Sequence, residues 1–522
     1  MAKSKKKAKK APEAEAPVPE AAASDKHASW YAGAVSFAAG ACLMVLEITA
    51  SRVLAPEFGN TVFLWSGIIG MILAALTIGY QVGGMLAERG RPSTLVFLSC
   101  GAGATVAVVP LWSSWLLPKL AASMSPSSGA LVATGLLFFV PSVLIGALSP
   151  VAVKVVNLGG ADAGRASGHV SALGAMGSIL GTFGAGFFLL PFLGTKAVLA
   201  GVAAVLAAIG VGGALYAKVS MKAPAVVAAL VLVPWFVEHT PHLNAQEELL
   251  HEEETFYHRV RVTEYRSRVG RIRQLDLDST REGARALDSD VLPFWYTRFI
   301  DVARVYLKGP KRAAFVGGGA FTMPIRFSEM YPDAAVDVYE LDPKVVEMGV
   351  EYFELGEHPR VRAVTGDARR NLRVSDHRYD FVFGDAYNGV SWIPFHLATK
   401  EFYTLVAERM TDDGVYMSNV ISSLDPKHGA FFYATVKTLR EVFGHVQVYG
   451  RRGAGAGSNL ILVASRKPLP RPEDVRALGE AMGLTELTRF FVAWDQIEPH
   501  LADAILLTDD YAPVEAMLAG MF

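Results

Sequence analysis

The chain has 522 residues, is 52% hydrophobic and only 19% charged, and carries a formal net charge of −1. A mean hydropathy of +0.30 is too apolar for an ordinary soluble enzyme, and near-neutrality leaves no overall field for nucleic acid or an acidic partner. The two cysteines, Cys42 and Cys100, are too few for a disulfide framework or a Cys/His metal cluster, so no metal is expected.

Residues 1–28 are rich in Lys, Ala, Pro and Glu and cannot bury enough surface to fold. The KKKAKK run reads as a basic cytoplasmic tail before a membrane span rather than a nucleic-acid arm. A cleaved signal peptide is disfavoured, because the apolar stretch starts late and runs past the length of a signal core.

Residues 29–240 read as a multi-pass helical membrane bundle. Apolar segments at 29–54, 61–87, 93–117, 129–153, 168–193 and 195–217 each reach the ~20 residues that cross a bilayer. A seventh, 223–237, is shorter and holds Pro224 and Pro234. Small residues recur at helical spacing, as at Gly174, Gly177 and Gly181, which lets helices approach closely in lipid. Glu47 and Arg52 lie within or near the first span. They read either as a polar path or as an internal ion pair that fixes packing. Arg89, Arg91, Lys154, Arg165, Lys218 and Lys222 mark alternate loops and put the N-terminus in the cytoplasm of an inner-membrane protein. If 223–237 crosses, the remaining half is extracytoplasmic. If it only dips into the interface, that half stays inside, the side expected for an enzyme using a cytoplasmic nucleoside.

Residues 241–310 change character to a linker and a small β-hairpin subdomain, with a turn near Gly270 and a helix over 288–307. Residues 311–522 alternate strands and helices, as in a doubly wound α/β sheet. The first strand gives way to the turn Gly317, Gly318 and Gly319. The second ends on Glu340 and Asp342, Asp367 and Ala368 follow the third, and the fourth ends on Asp385. Open α/β sheets bind ligands at this edge, and a row of carboxylates suits a small cationic nucleoside. Late elements include a helix at 434–443 and a strand pair around the loop 450–458.

These residues resemble the spermidine synthases, aminopropyltransferases of the S-adenosylmethionine-methyltransferase-like (Rossmann-like) fold. With the apolar half included, the chain resembles membrane-fused spermidine synthase-like proteins. The resemblance covers roughly 255–515. It rests on Thr255 to His258, LDLDS at 275–279, VGGG at 316–319, YELD at 339–342, GDA at 366–368, LATKEFY at 397–403 and LTDDYAP at 507–513. The motifs are weak singly and strong in order.

The resemblance implies S-adenosylmethionine or its decarboxylated form as co-substrate and a small-molecule amine as acceptor. Membrane lipids surround the bundle, and self-association is left open. The glycines let backbone approach the ligand, Glu340 would accept the ribose hydroxyls, and Asp367 with Ala368 would hold the adenine. Each acid has a plainer reading as a cap at a strand–helix junction. Asp385 stands where the family places its general base, and Tyr257, Tyr387 and Asn388 would line the amine channel. Asp276 and Asp278 alternate onto one side of their strand, facing either the pocket or solvent.

Two departures stand out. Ala320 replaces the aspartate that would grip the donor's amine and repel the carboxylate of intact S-adenosylmethionine. Asn388 replaces a second loop aspartate. The leading expectation is therefore a membrane-anchored aminopropyl-type transferase with an altered diamine site, releasing methylthioadenosine. Two alternatives stand beside it: a methyltransferase on the same fold, and a non-catalytic polyamine- or nucleoside-binding transporter or sensor.

Overall fold

The structure is a computed structural model. It describes residues 26–88, 93–158, 162–218, 220–231, 247–387, 392–450 and 457–521. The described residues of the apolar half form eight helices: α1 (Lys26–Phe58), α2 (Val62–Ala87), α3 (Ser93–Ala107), α4 (Val109–Ser123), α5 (Pro126–Leu158), α6 (Ala163–Gly184), α7 (Leu190–Ala217) and α8 (Lys222–Val231). Among the described residues, four helices are long and apolar enough to cross a membrane, or five if α3 and α4, bent by 47°, form one span. One of the four, Ala163–Leu215, runs for 53 residues. It contains a π-helical turn at Ala185–Leu189 and a break at Gly194, whose φ of 72° is not helical. At 1.5 Å per residue such a helix far exceeds a bilayer core of ~30 Å. The break falls between the segments 168–193 and 195–217.

Glycine sets the helix spacing. A Cβ on Gly177 would overlap the carbonyl oxygen of Phe37 on α1, and one on Gly79 would stand 2.5 Å from the carbonyl oxygen of Val143 on α5. Backbones pack here where larger side chains would hold them apart. The outer surface carries exposed apolar side chains such as Phe187, Phe188 and Phe192, 65–79% exposed, as lipid contact requires.

The seventh apolar segment is described only to Val231; its remainder lies outside the described residues. Within α8, Val227 packs against Gly103, eleven residues into α3. The helix therefore enters the bundle instead of lying across its end.

The described residues of the second half form two sheets. Strands β1 (Glu247–Glu254), β2 (Arg259–Ser267), β3 (Gly270–Leu277) and β4 (Thr280–Ala286) form an antiparallel meander. The expected hairpin is its centre, with Ser267 opposite Gly270. The helix expected over 288–307 is shorter: a 3-10 helix at Tyr296–Val302 continues into one turn at Ala303–Tyr306. Asp276 and Asp278 do not share a face. A register shift after Leu275 breaks the alternation, and Asp278 enters the turn with φ of 57°.

The main sheet has β5 (Arg312–Val316), β6 (Ala335–Glu340), β7 (Val361–Thr365), β8 (Tyr379–Gly384), β9 (Met410–Ser422), β10 (His445–Tyr449), β11 (Ser458–Ser465) and β12 (Phe491–Val492), in the order β12-β10-β11-β9-β8-β5-β6-β7. Strands β5 to β9 are parallel, and β11 returns antiparallel beside β9. This is a Rossmann-like sheet whose order reverses between β5 and β8, where such folds open a crevice.

The halves meet at one end of the bundle. The Arg52 guanidinium donates to the carbonyl oxygens of Phe256 and Tyr257. Ser279 donates to the carbonyl of Pro56, the Val62 N–H to Glu515 at 2.7 Å, and Thr195 to Glu254 through both its N–H and its hydroxyl. All these bundle residues lie at or near the α1–α2 and α6–α7 turns, opposite the helix ends that carry Lys154, Arg165, Lys218 and Lys222.

Candidate active site

A cavity of about 440 Å³ opens at the switch point, within the range of small-molecule sites. Its floor is the C-terminal edge of β5, β6 and β8; its walls are the loop at 256–258, the end of β3, β4 and the start of the 3-10 helix. The membrane half closes it, with Ile48, Ser51, Arg52 and Ala55 of α1, Trp65 of α2 and Leu190 of α7 on the lining.

The glycine turn is shaped by what it touches. A Cβ on Gly317 would overlap the carbonyl of Asp385, so only glycine lets β5 and β8 end this close together. Its φ of 97° asks for glycine as well. The Gly318 N–H donates to Glu340 Oε2 at 2.8 Å, and the Asp342 N–H donates to Glu340 Oε1 at 3.0 Å. Glu340 is thus fixed by backbone with lone pairs to spare for hydroxyl donors. Burial raises its pKa, and these two N–H donors oppose that rise.

Asp342 takes a different place. It caps the helix Pro343–Tyr352 through Lys344 N–H at 2.9 Å and accepts from the Thr255 hydroxyl at 2.6 Å; it is absent from the cavity lining. Asp367 does both jobs. It caps the helix Ala368–Val374 through Arg370 N–H at 2.7 Å, lies 3.1 Å from His396 Nε2, and lines the cavity beside Ala368.

Asp385 is held at the end of β8. Asn419 Nδ2 donates to its Oδ1 at 2.9 Å, and Tyr296 also hydrogen-bonds its carboxyl. Burial pushes its pKa up to about 7, against the opposing effect of those two partners. Asn419 is in turn oriented by Asn459 Nδ2, 3.0 Å from its Oδ1. The Tyr387 hydroxyl donates to the Asn419 carbonyl and accepts from Ile421 N–H, at 2.9 and 2.8 Å, so its ring is what remains for a ligand. Tyr257 lines the same cavity, edge-on to Phe256. Asn388 lies outside the described residues.

Tyr296 and Glu282 on the lining lie outside every sequence motif, whereas His258 and Asp278 belong to the motifs at 255–258 and 275–279. Asp278 and His258 pair at 3.0 Å; burial works to lower the His258 pKa, but Asp278, Asp342 and Glu340 together leave it raised. Asp276 turns away from the cavity, accepting from Gln274 at 2.6 Å and facing Arg261 at 3.6 Å. Arg52 and Glu47 do not behave as an internal pair, since Arg52 is committed to the 256–257 loop.

No family model matches the chain. It is similar to the polyamine aminopropyltransferase of Vibrio vulnificus, 24% identical over 300 residues that cover 53% of this chain and 94% of that protein. It is also similar to polyamine aminopropyltransferase 2 of Aquifex aeolicus, 23% identical over 424 residues covering 78% of this chain and 81% of that one. A match that long must extend into the apolar half. Among solved structures, a probable spermidine synthase from Corynebacterium glutamicum superposes with a TM-score of 0.44 at 19% identity, covering 51% of this chain and 98% of that one.

Proposed function

We propose that the protein is a membrane-anchored transferase that moves an aminopropyl-type group from decarboxylated S-adenosylmethionine, or from S-adenosylmethionine itself, to a small amine. The observation that carries this reading is Asp385: a half-buried carboxyl whose pKa desolvation raises to about 7, fixed by Asn419 and facing a cavity that it shares with Glu340 and Asp367. The similarity to polyamine aminopropyltransferases supports the same reaction class.

The chemistry asked of the site is short. A free alkylamine is protonated near neutral pH and cannot attack. The Asp385 carboxylate would hold the ammonium and take its proton, and the freed lone pair forms a C–N bond to the carbon beside the donor's sulfonium. The C–S bond breaks with its electron pair left on sulfur, so the leaving group is the neutral thioether methylthioadenosine. A base with a pKa near the working pH serves such a transfer well. Glu340 would hold the ribose and Asp367 with Ala368 the adenine, which fixes donor and acceptor in line. Thionucleoside product analysis with candidate amines tests this reading.

We also infer the side of the membrane on which this takes place. The catalytic half docks on the bundle end opposite the basic loops, and α8 enters the bundle through Val227. If the Lys- and Arg-rich loops are cytoplasmic, the cavity faces away from the cytoplasm. That reverses the expectation drawn from where nucleoside donors are made, and a cytoplasmic donor would then have to cross the membrane to reach the cavity.

A further inference from the structure

Two acids on the cavity lining, Glu282 and Asp278, are not used by the proposed chemistry. Asp278 is paired with His258, whereas Glu282 is paired with no base among the described residues. Glu282 lies on β4, lines the cavity, and its Oε1 is buried without a hydrogen-bond partner. The charges acting on it most strongly are all acids, beginning with Asp385 and Glu340. A buried carboxyl with no donor is costly, and burial raises its pKa well above the usual range. Such a group is stabilised when a cation arrives.

Its position is specific. A Cβ built on Gly319 would stand 3.0 Å from the carbonyl oxygen of Glu282, and one on Gly283 would stand 2.6 Å from the Cβ of Ala320. The strand that carries Glu282 therefore lies directly on the glycine turn at Ala320. Glu282 and Ala320 both line the cavity on either side of this contact.

We infer that Glu282 is the recognition point for a primary ammonium group on the chain transferred from the donor, taking over the charge that residue 320 does not supply. This rests on the aminopropyl-type reading, in which the ammonium-bearing chain is the group transferred. A cation there would relieve the crowding of Glu282 with Asp385 and Glu340. It would also orient the chain so that the carbon beside the sulfonium faces Asp385.

The test is a comparison of two ligands on the full-length protein in lipid nanodiscs, by calorimetry. Decarboxylated S-adenosylmethionine carries the ammonium, and methylthioadenosine lacks the whole transferred chain. The wild type is expected to prefer the cationic ligand, and Glu282→Gln should cut that preference about tenfold or more while leaving methylthioadenosine affinity unchanged. Glu282→Asp should retain part of it. An unchanged preference in Glu282→Gln overturns the inference, as does an equal loss for both ligands, which would make Glu282 a shaper of the pocket. A wild type without preference, or binding neither ligand, overturns it too. Failure of the proposed reaction is read separately: a wild type that binds the cationic ligand but yields no methylthioadenosine with any amine sinks the transfer and leaves the affinity ratio to judge Glu282.

Discussion

Asn419 Nδ2 donates to Asp385 Oδ1 at 2.9 Å, and this contact holds the Asp385 pKa below the value that burial alone would impose. Asn419→Ala should therefore move the acidic limb of the pH–rate profile to higher pH, because a larger share of Asp385 stays protonated at any given pH. A merely structural Asn419 would lower the rate without moving the limb. A pH profile of kcat/KM for wild type and variant distinguishes the two.

Asp385→Asn should abolish turnover, by roughly a hundredfold or more for loss of a general base. Its effect on stability should run the other way. The folded-state pKa of about 7 lies above the unfolded value of about 3.9. The folded protein therefore holds the extra proton between these values. The stability associated with it is complete below the unfolded pKa and is lost as pH rises through about 7. At pH 8 the asparagine variant should melt no lower than wild type, and thermal melts at pH 5 and pH 8 check this. A variant that melts lower at pH 8 contradicts the account of Asp385 as a strained half-buried acid.

Arg52 ties the first membrane helix to the loop that walls the cavity, through the carbonyls of Phe256 and Tyr257 and with its guanidinium 5.4 Å from the Phe256 ring centroid. Arg52→Gln should loosen that loop and raise the donor KM by about tenfold, the scale of a charge-assisted hydrogen bond. Amide exchange at residues 255–258 should quicken in parallel. Unchanged exchange there would mean that the membrane half does not brace the site.

Sidedness has its own readout. A phosphatase active only outside the cytoplasm, fused after Phe522, should be active, and a fluorescent protein that matures only inside should stay dark. The opposite pattern would show that the basic loops lie outside and the cavity faces the cytoplasm.

The sheet edge was legible because its signals are local. Buried strands read as apolar runs, the glycines mark a turn where Cβ has no room, and Glu340, Asp367 and Asp385 stand where strands give way to loops. Local signals also misled: Asp342 looks equivalent to Glu340, yet two residues further on it has already entered the helix cap. Glu282, Tyr296 and Asn419 were not legible. They come from a meander strand, a 3-10 helix and the fifth parallel strand, and only long-range packing brings Glu282 and Tyr296 to the cavity and Asn419 to Asp385. The apolar segments were visible from length and hydropathy, whereas the closure of the site by α1 and α7 depends on side-chain contacts such as those of Arg52 and Thr195 that no periodicity encodes.

The central claim is the reaction, and its most direct measurement is the identity of the thionucleoside released. Purified full-length protein would be incubated with decarboxylated S-adenosylmethionine or S-adenosylmethionine and a panel of small amines, and the products resolved by mass spectrometry. The account predicts methylthioadenosine together with an amine enlarged by an aminopropyl-type group, both lost in Asp385→Asn. S-adenosylhomocysteine with a methylated acceptor, or saturable binding with no product, would contradict it.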